Sequence, residues 1–250
     1  MRIAVTTSHK PLQHQVNKAK ELAQAFGCRY IPRRHFSFME GEIVIIAERY
    51  GISAVKDGKR LFFHPSLAVL RKSNVETGQR DYLIESLDLS GNEKVLDCTL
   101  GLGSEAILIA HFLPKGHVKC LESSKIIKII VENGIRDKNL PDWVRESAQR
   151  IEILEYDYKK FVRESDEIFD CVYVDPMFEH PNFKSYAMNP LRPFADHSGI
   201  DPADIEEMKK IARKRIVVKA RWNDSIFERY KFDKVVGSLK SKIGYGVVEI

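Results

Sequence analysis

The sequence contains few cysteines and no long apolar segment. Its four cysteines are far apart and form no Cys-x-x-Cys pair, which argues against a zinc site or a disulfide framework. We therefore predict free thiols, buried where the neighbouring residues are apolar. No apolar run approaches the roughly 20 residues that span a bilayer, and the charged start Met1-Arg2-Ile3 is unlike a signal peptide. These absences predict a cytoplasmic protein.

Clusters of His, Asp and Cys with metal-ligand spacing are also absent, so we expect no metal. The charge is only mildly positive, +5 over 250 residues. The excess is concentrated in Arg33-Arg34-His35 and in the stretch from Lys209 to Arg221. Such runs are compatible with a nucleic-acid partner, although a solvated helix face produces them more often.

From about residue 93 the chain alternates short apolar runs with segments of helical periodicity. Strands that alternate with helices predict β-α-β units and therefore a parallel sheet in an α/β fold. The predicted strands of this sheet are Lys94–Cys98, His117–Glu122, Ile151–Tyr156, Phe169–Val174 and Arg215–Lys219. Two further runs, Phe232–Leu239 and Gly244–Ile250, flank a polar turn and predict an antiparallel hairpin at the C-terminal end.

The first part of the chain does not continue this alternation. We predict a strand at Arg2–Thr6, a helix through Val16–Phe26, and strands at Ile43–Ile46 and Leu61–Phe63 after a hairpin turn at Lys56–Lys59. A further helix is expected to begin at Thr77 or Gly78 and to end near Ser90-Gly91. The domain prediction is a small α+β unit at residues 1–75 and a larger α/β domain at residues 76–250.

A glycine turn joins the first strand of the larger domain to its first helix, in the pattern Asp97-x-x-x-Gly101-x-Gly103. Glycines allow the backbone to approach a ligand closely and tolerate positive φ. Asp97, at the strand end, suits the ammonium of S-adenosylmethionine better than a phosphate. The run Gly101-x-Gly103-x-x-Ala106 also satisfies the relaxed dinucleotide fingerprint, so this motif alone leaves both cofactors open.

Two further carboxylates follow at the ends of the next two predicted strands. Glu122 closes the second strand, where a carboxylate can accept both ribose hydroxyls of either cofactor. Asp157 follows the third strand, where it can accept a hydrogen bond from an adenine amine or cap the next helix.

The fourth strand ends in Asp175-Pro176-Met177-Phe178. Asp175 and the carbonyl of Pro176 can accept the two N–H groups of an exocyclic amine, which favours attack by its lone pair. Phe178 can stack on a planar base. A nicotinamide enzyme has no need of this tetrapeptide, so it favours S-adenosylmethionine-dependent methyl transfer to an amine-bearing base.

Together these motifs resemble the bacterial ribosomal RNA small subunit methyltransferase J family, whose members methylate guanine N2 in 16S rRNA. The similarity lies in Val95–Ala106, Leu121-Glu122, Val172–His180 and Lys214–Lys219, and it extends over roughly residues 58–250. It implies the Rossmann-like fold of class I methyltransferases closed by a C-terminal hairpin, S-adenosylmethionine as cofactor, and ribosomal RNA or the small ribosomal subunit as partner. The implied cofactor contacts are Ser104, Glu105, Glu122, Ser123, Asp157, Tyr158 and Asp175.

The chain departs from the family at several of these positions, because Ser104-Glu105 replaces Arg-Asp and Asp157-Tyr158 replaces Ser-Ser. Candidate RNA contacts are His180, Lys184 and the basic run Lys209–Arg221. A methyltransferase with another RNA, protein or small-molecule acceptor, an NAD(P)-dependent oxidoreductase, and a non-catalytic RNA-binding protein remain as alternatives.

Overall fold

The computed structural model describes residues 2–180 and 189–250, which form two sheets. The N-terminal sheet has the order β1-β2-β3-β4, with β1 and β2 parallel and the other pairs antiparallel. Asp57 and Gly58, at φ 48° and 72°, form the predicted two-residue hairpin turn. The elements of this part are β1 (Ile3–Thr7), α1 (Gln13–Ala25), β2 (Ile43–Ala47), β3 (Ile52–Lys56) and β4 (Lys59–Phe62).

Two helices, α2 (Ser66–Glu76) and α3 (Tyr82–Leu87), connect the sheets. The predicted helix is present as α3, but its predicted start at Thr77 or Gly78 was wrong, because α2 ends there and Gly78 has a φ of 83°. The side chain of Asp81 accepts hydrogen bonds from the first-turn N–H groups of α3 and so fixes its start. The pattern of α2 was missed because Ala68 is its one fully buried residue.

The second sheet has the order β10-β11-β9-β8-β5-β6-β7. Among these seven strands only β11 runs opposite to its neighbours, which confirms the parallel sheet and the C-terminal hairpin. The elements are β5 (Lys94–Asp97), α4 (Ser104–His111), β6 (His117–Glu122), α5 (Lys125–Gly134), α6 (Asp142–Ala148), β7 (Ile151–Glu155), α7 (Tyr158–Glu164), β8 (Phe169–Val174), α8 (Pro202–Ile211), β9 (Ala212–Arg221), α9 (Ile226–Arg229), β10 (Lys234–Ser238) and β11 (Ile243–Glu249).

Strand β5 lies between β6 and β8, so the chain order reverses on either side of it. Open α/β sheets bind ligands in the crevice at such a reversal, beyond the carboxyl ends of the strands. The topology therefore places the glycine turn after β5 and the tetrapeptide after β8 at one edge of the sheet.

The two sheets share a continuous hydrophobic core, which includes Val5 and Ile45 of the first sheet and residues of α4 and α5 on the second. Gly134 of α5 packs directly on Phe63, since a Cβ at Gly134 would lie 2.3 Å from the ring. The domain division after residue 75 stays a prediction. No helix in residues 2–180 and 189–250 is long and apolar enough to cross a membrane. All four cysteines are free thiols, and three of them are fully buried.

Candidate active site

A cavity of about 500 Å³ opens at the carboxyl edge of the second sheet, a volume typical of small-ligand sites. Its walls come from the loops after β5, β6, β7 and β8, from the end of β9, and from the segment that precedes α8. Most of the predicted site residues line it: Gly101, Ser104, Glu105, Glu122, Ser123, Asp157, Tyr158, Asp175, Pro176 and Phe178.

The two glycines of the turn after β5 have different roles. Both have positive φ, 53° at Gly101 and 76° at Gly103. Gly101 lines the cavity, and its N–H donates to Glu122 Oε2 at 3.1 Å. Gly103 does not line it, and a Cβ there would lie 3.0 Å from Val131 on α5. Gly103 therefore provides space for helix packing, and its contact with a ligand stays a prediction.

Asp97 lies behind the cavity wall and is fully buried. Its Oδ1 accepts a hydrogen bond from the N–H of Thr99 at 3.0 Å. Its Oδ2 has no hydrogen-bond partner within residues 2–180 and 189–250. Burial raises the pKa of Asp97 to about 8. A ligand group that reached Oδ2 could donate the missing hydrogen bond. Contact between Asp97 and a cationic ligand group stays a prediction.

Glu122 ends β6 at the cavity wall and is 8% exposed. It accepts backbone hydrogen bonds from Gly101 and, at 2.8 Å, from Ser124. In the described part of the chain no ion pair includes Glu122. Burial raises its pKa to about 7 in spite of the two hydrogen bonds. The side chain of Glu122 therefore faces the cavity without a cation partner among the described residues.

Of the two roles that the sequence left open for Asp157, the structure shows the helix cap, and the contact with adenine stays a prediction. Asp157 is the N-cap of α7, where its side chain accepts the N–H of Lys159 at 2.8 Å, and it also lines the cavity. Tyr158 follows it as a buried part of the wall.

Asp175 lies directly beyond the end of β8, opposite the glycine turn. Its N–H donates to the hydroxyl of Thr99 at 2.7 Å, which ties the ends of β5 and β8 together. Its Oδ2 accepts a hydrogen bond from the ammonium of Lys219 at 2.5 Å. Pro176 and Phe178 extend the same wall.

Asp175 belongs to a network of charges that the sequence analysis missed. Lys219 also contacts Glu105 at 3.3 Å, and Arg71 of α2 bridges Glu105 at 3.1 Å and Asp81 at 2.8 Å. Although burial raises the pKa of Glu105, Lys219 and Arg71 outweigh it and lower the pKa to about 2. Glu105 therefore serves as a partner for two cations as well as a wall of the cavity.

One sequence signal could have located Lys219. It follows the apolar run Ile216–Val218 near the carboxyl end of β9, the strand beside the one that delivers Asp175. No such local signal exists for Arg71, which reaches Glu105 from a distant helix.

The predicted basic run Lys209–Arg221 does not form one surface. Lys209 and Lys210 pair with glutamates of their own helix, α8. Lys214 pairs with Glu93, and Lys219 faces the cavity. Of the other candidate RNA contacts, His180 is exposed, whereas Lys184 lies outside the described residues.

The side chains of Glu179, His180 and Asp224 could approach a metal, with ligand atoms within 4.8 Å of one another. Both carboxylates, however, accept hydrogen bonds from the protein. Glu179 accepts two from Ser225, and Asp224 accepts the N–H groups of His180 and Arg221. These bonds hold the loop after the tetrapeptide against the turn that follows β9.

The strand order, the C-terminal hairpin and the cavity at the reversal of the sheet define the class I methyltransferase fold. The model of the family described as "Putative SAM-dependent methyltransferase" matches residues 61–238, and the chain belongs to this family. A SAM-dependent methyltransferase from Neisseria gonorrhoeae has the same fold, with a TM-score of 0.68 at 16% identity over 98% of this chain and 95% of that chain.

Sequence relatives fall into two groups. The uncharacterized protein YpiP of Bacillus subtilis is 28% identical over 98% of each chain. Ribosomal RNA small subunit methyltransferase J of Actinobacillus succinogenes is 27% identical over 57% of each chain, and the Francisella tularensis enzyme of that name is 26% identical over 58% of this chain and 61% of its own. The family match decides between the two cofactors that the glycine motif left open: S-adenosylmethionine is the cofactor.

Proposed function

We propose that this enzyme methylates an exocyclic amine of a nucleobase, and that the base is a guanine methylated at N2 in 16S rRNA. The observation that carries the proposal is the position of Asp175-Pro176-Met177-Phe178, which lines the same cavity as the cofactor turn after β5. An acceptor amine between these walls meets a carboxylate and an aromatic ring.

The residues that would hold the cofactor are those of the turn after β5 together with Glu122 and Asp157. The cavity suits a positively charged ligand, because Glu122 has no cation partner in the described chain and Asp97 Oδ2 has no donor there. When bound, S-adenosylmethionine supplies a methyl group on a positively charged sulfur, and the sulfur keeps the electron pair of the broken bond. In-line alignment then contributes most of the remaining acceleration.

On the acceptor side, Asp175 would orient the amine. Lys219 occupies Oδ2, and no described residue donates to Oδ1, so Oδ1 can accept one N–H of the amine. The nitrogen lone pair forms the new bond to carbon, and the surplus amine proton leaves toward Asp175. Phe178 would stack on the base, a contact worth about 1–3 kcal/mol.

The matching regions of the relatives named ribosomal RNA small subunit methyltransferase J support small-subunit ribosomal RNA as the substrate and the small ribosomal subunit as partner. We propose a cytoplasmic location with them. Those matches span somewhat less than two thirds of each enzyme. The nucleotide and the substrate form, naked RNA or assembled subunit, are therefore questions for experiment.

The test is to incubate the purified protein and S-adenosylmethionine with 16S rRNA, or with small subunits, from a strain that lacks the gene. Mass spectrometry of nucleosides should show N2-methylguanosine formed by the native protein. The Asp175→Ala variant should form at least roughly 100-fold less while still binding S-adenosylhomocysteine. Methylation of another base, of a protein or of a small molecule in its place would show that the proposed acceptor is wrong. A deletion phenotype that Asp175→Ala rescues fully would indicate a non-catalytic RNA-binding role.

A further inference from the structure

The carboxylate of Asp175 is one end of an ion-pair chain that runs through Lys219 and Glu105 to Arg71. We infer that Lys219 is a positioning residue for methyl transfer: its ammonium fixes Oδ2 of Asp175, so that Oδ1 is presented to the acceptor amine. This inference rests on the proposed function for the identity of the acceptor. The contact between Lys219 and Asp175 is present whichever acceptor the enzyme uses.

The sheet register makes the contact between the two side chains rigid. Tyr173 on β8 pairs with Val217 on β9, and these strands are parallel. Asp175 and Lys219 each lie two residues further on, so their side chains project from the same face of the sheet. Lys219 is also paired in register with Tyr245 on β11. Its side chain is 15% exposed, which leaves the ammonium little choice of partner.

The second carboxylate, Glu105, holds the ammonium from the other side. It contacts Lys219 at 3.3 Å and is itself held by Arg71, which Asp81 anchors at 2.8 Å. Glu105 and Arg71 are 17% and 14% exposed. Because Lys219, Glu105 and Arg71 each have a partner on both sides, the network fixes the direction from which Lys219 approaches Asp175.

Removing Lys219 would leave the site strongly anionic. Several titratable groups act on Asp175 from the surrounding strands and helices. They are Arg71, Asp97, Glu105, Tyr173, Lys219 and Tyr245. Burial raises the pKa of Asp175 and Glu105 adds to the rise, whereas Lys219 opposes it. Without Lys219, Arg71 would be the remaining cation of this network for the carboxylates of Asp175 and Glu105. Arg71 contacts Glu105 and lies farther from Asp175.

Lys219 itself remains protonated in this setting. Burial lowers its pKa, but Asp175 and Glu105 outweigh that effect and the net shift is upward. A permanently charged ammonium cannot take the proton that the amine releases. Lys219 therefore acts through Asp175.

The test compares the wild type with Lys219→Met, which keeps the length of the side chain and removes its charge, and with Lys219→Arg, which keeps the charge. Lys18→Met on α1, which removes the cation of an exposed pair with Glu21, is the matched surface control. Carbon-13 NMR of aspartate-labelled protein follows the Asp175 carboxyl, identified by the signal that Asp175→Asn lacks. In Lys219→Met its titration midpoint should rise by about 1 to 3 pH units.

Activity is measured as a single-turnover rate against pH. Lys219→Met should lose roughly 100-fold at pH 7 and recover part of the rate at higher pH, because Asp175 ionises there. Lys219→Arg should restore most of the rate, and Lys18→Met should match the wild type. Affinity for S-adenosylhomocysteine, measured by calorimetry, should stay close to the wild-type value in every variant.

An unshifted Asp175 midpoint in Lys219→Met overturns the inference. A loss of S-adenosylhomocysteine affinity as large as the loss of rate also overturns it, since Lys219 would then be a cofactor-binding residue. A shifted midpoint in an enzyme that methylates no nucleobase supports the link between Lys219 and Asp175 and overturns the proposed function instead. If Lys219→Met does not fold, Lys219→Met/Glu105→Gln removes one buried anion together with the cation and allows the same titration.

Discussion

We call the part of the cavity around Glu122 the cofactor half and the part around Asp175 the acceptor half, after the proposed function. The carboxylates of the two halves have different partners. In the cofactor half, Glu122 is held by backbone N–H groups alone, and burial raises its pKa to about 7. In the acceptor half, the side chain of Glu105 is 17% exposed and contacts Lys219 and Arg71. These cations overcome the effect of burial and lower the pKa of Glu105 to about 2.

The difference matches the charges of the two ligands. S-adenosylmethionine is a cation at its sulfur, so carboxylates without cation partners suit the cofactor half. The exocyclic amine of the proposed guanine acceptor is neutral, so a carboxylate that already has its counter-ion suits the acceptor half. In the described chain, carboxyl groups therefore lack a cation partner where a cationic ligand can supply one.

Removing the cation of the acceptor half should have the largest effect on stability. Lys219→Met leaves Asp175 and Glu105 without their shared partner, and breaking such a buried pair costs about 3 kcal/mol or more. We expect the free energy of unfolding to fall by this amount at pH 7 in urea titrations. The deficit should shrink at pH 5, because the pKa values of both carboxyl groups rise once the ammonium is gone.

The exposed pair of Lys210 with Glu207 is the control for this experiment, since surface ion pairs contribute about 0–1 kcal/mol. Lys210→Met should therefore leave the unfolding curve almost unchanged. An unfolding free energy for Lys219→Met equal to that of the control would contradict the claim that the acceptor half depends on internal charge balance.

A second prediction separates packing from ligand contact within the cofactor half. Gly103→Ala combines left-handed backbone strain with a Cβ 3.0 Å from Val131, so we expect a loss of about 2 kcal/mol in thermal or urea unfolding. Gly101→Ala has the same backbone strain but no atom closer than 3.9 Å, so it should lose about 1 kcal/mol. Equal losses would show that Val131 moves aside and that the packing role of Gly103 is wrong.

The sequence predicted the cofactor half better than the acceptor half, for a physical reason. The glycine turn, Glu122 and Asp157 each lie at or just beyond the carboxyl end of a predicted strand, so local pattern alone places them at one sheet edge. The charge network of the acceptor half depends on which strands are neighbours. Lys219 meets Asp175 only because β9 pairs with β8 in a given register.

Helix α2 was missed in the sequence analysis for the same reason, because its position depends on contacts with distant residues. Apolar residues of α2, such as Leu67 and Leu70, are 45% and 57% exposed, so their pattern does not mark a buried face. The helix is held in part through a polar contact, from Arg71 to Glu105 on α4 and to Asp81 before α3. Hydrophobic periodicity carries no information about such a contact.

A final prediction is a gain in stability when Glu122, which has no cation partner in the described chain, is replaced by an uncharged residue. The pKa of Glu122 is about 7 in the folded chain, above its ordinary value of 4.5. The folded state thus binds a proton more readily than the unfolded state, so stability falls as pH rises from 4.5 to 7. Glu122→Gln should raise the unfolding free energy at pH 8 by up to about 3 kcal/mol, the equivalent of this shift in pKa, and leave it unchanged at pH 4.

Binding should move in the opposite direction from stability in Glu122→Gln. In the wild type, affinity for S-adenosylhomocysteine should fall as pH drops below 7, because protonated Glu122 accepts ribose hydroxyls poorly. The Glu122→Gln variant should bind more weakly and show no such pH dependence in calorimetry. Glu155→Gln alters the exposed register partner of Glu122 on β7 and should keep both the wild-type affinity and its pH profile. If Glu122→Gln proved less stable than the wild type at pH 8, the carboxylate would have a counter-charge in the free enzyme, and the contrast between the two halves would not hold.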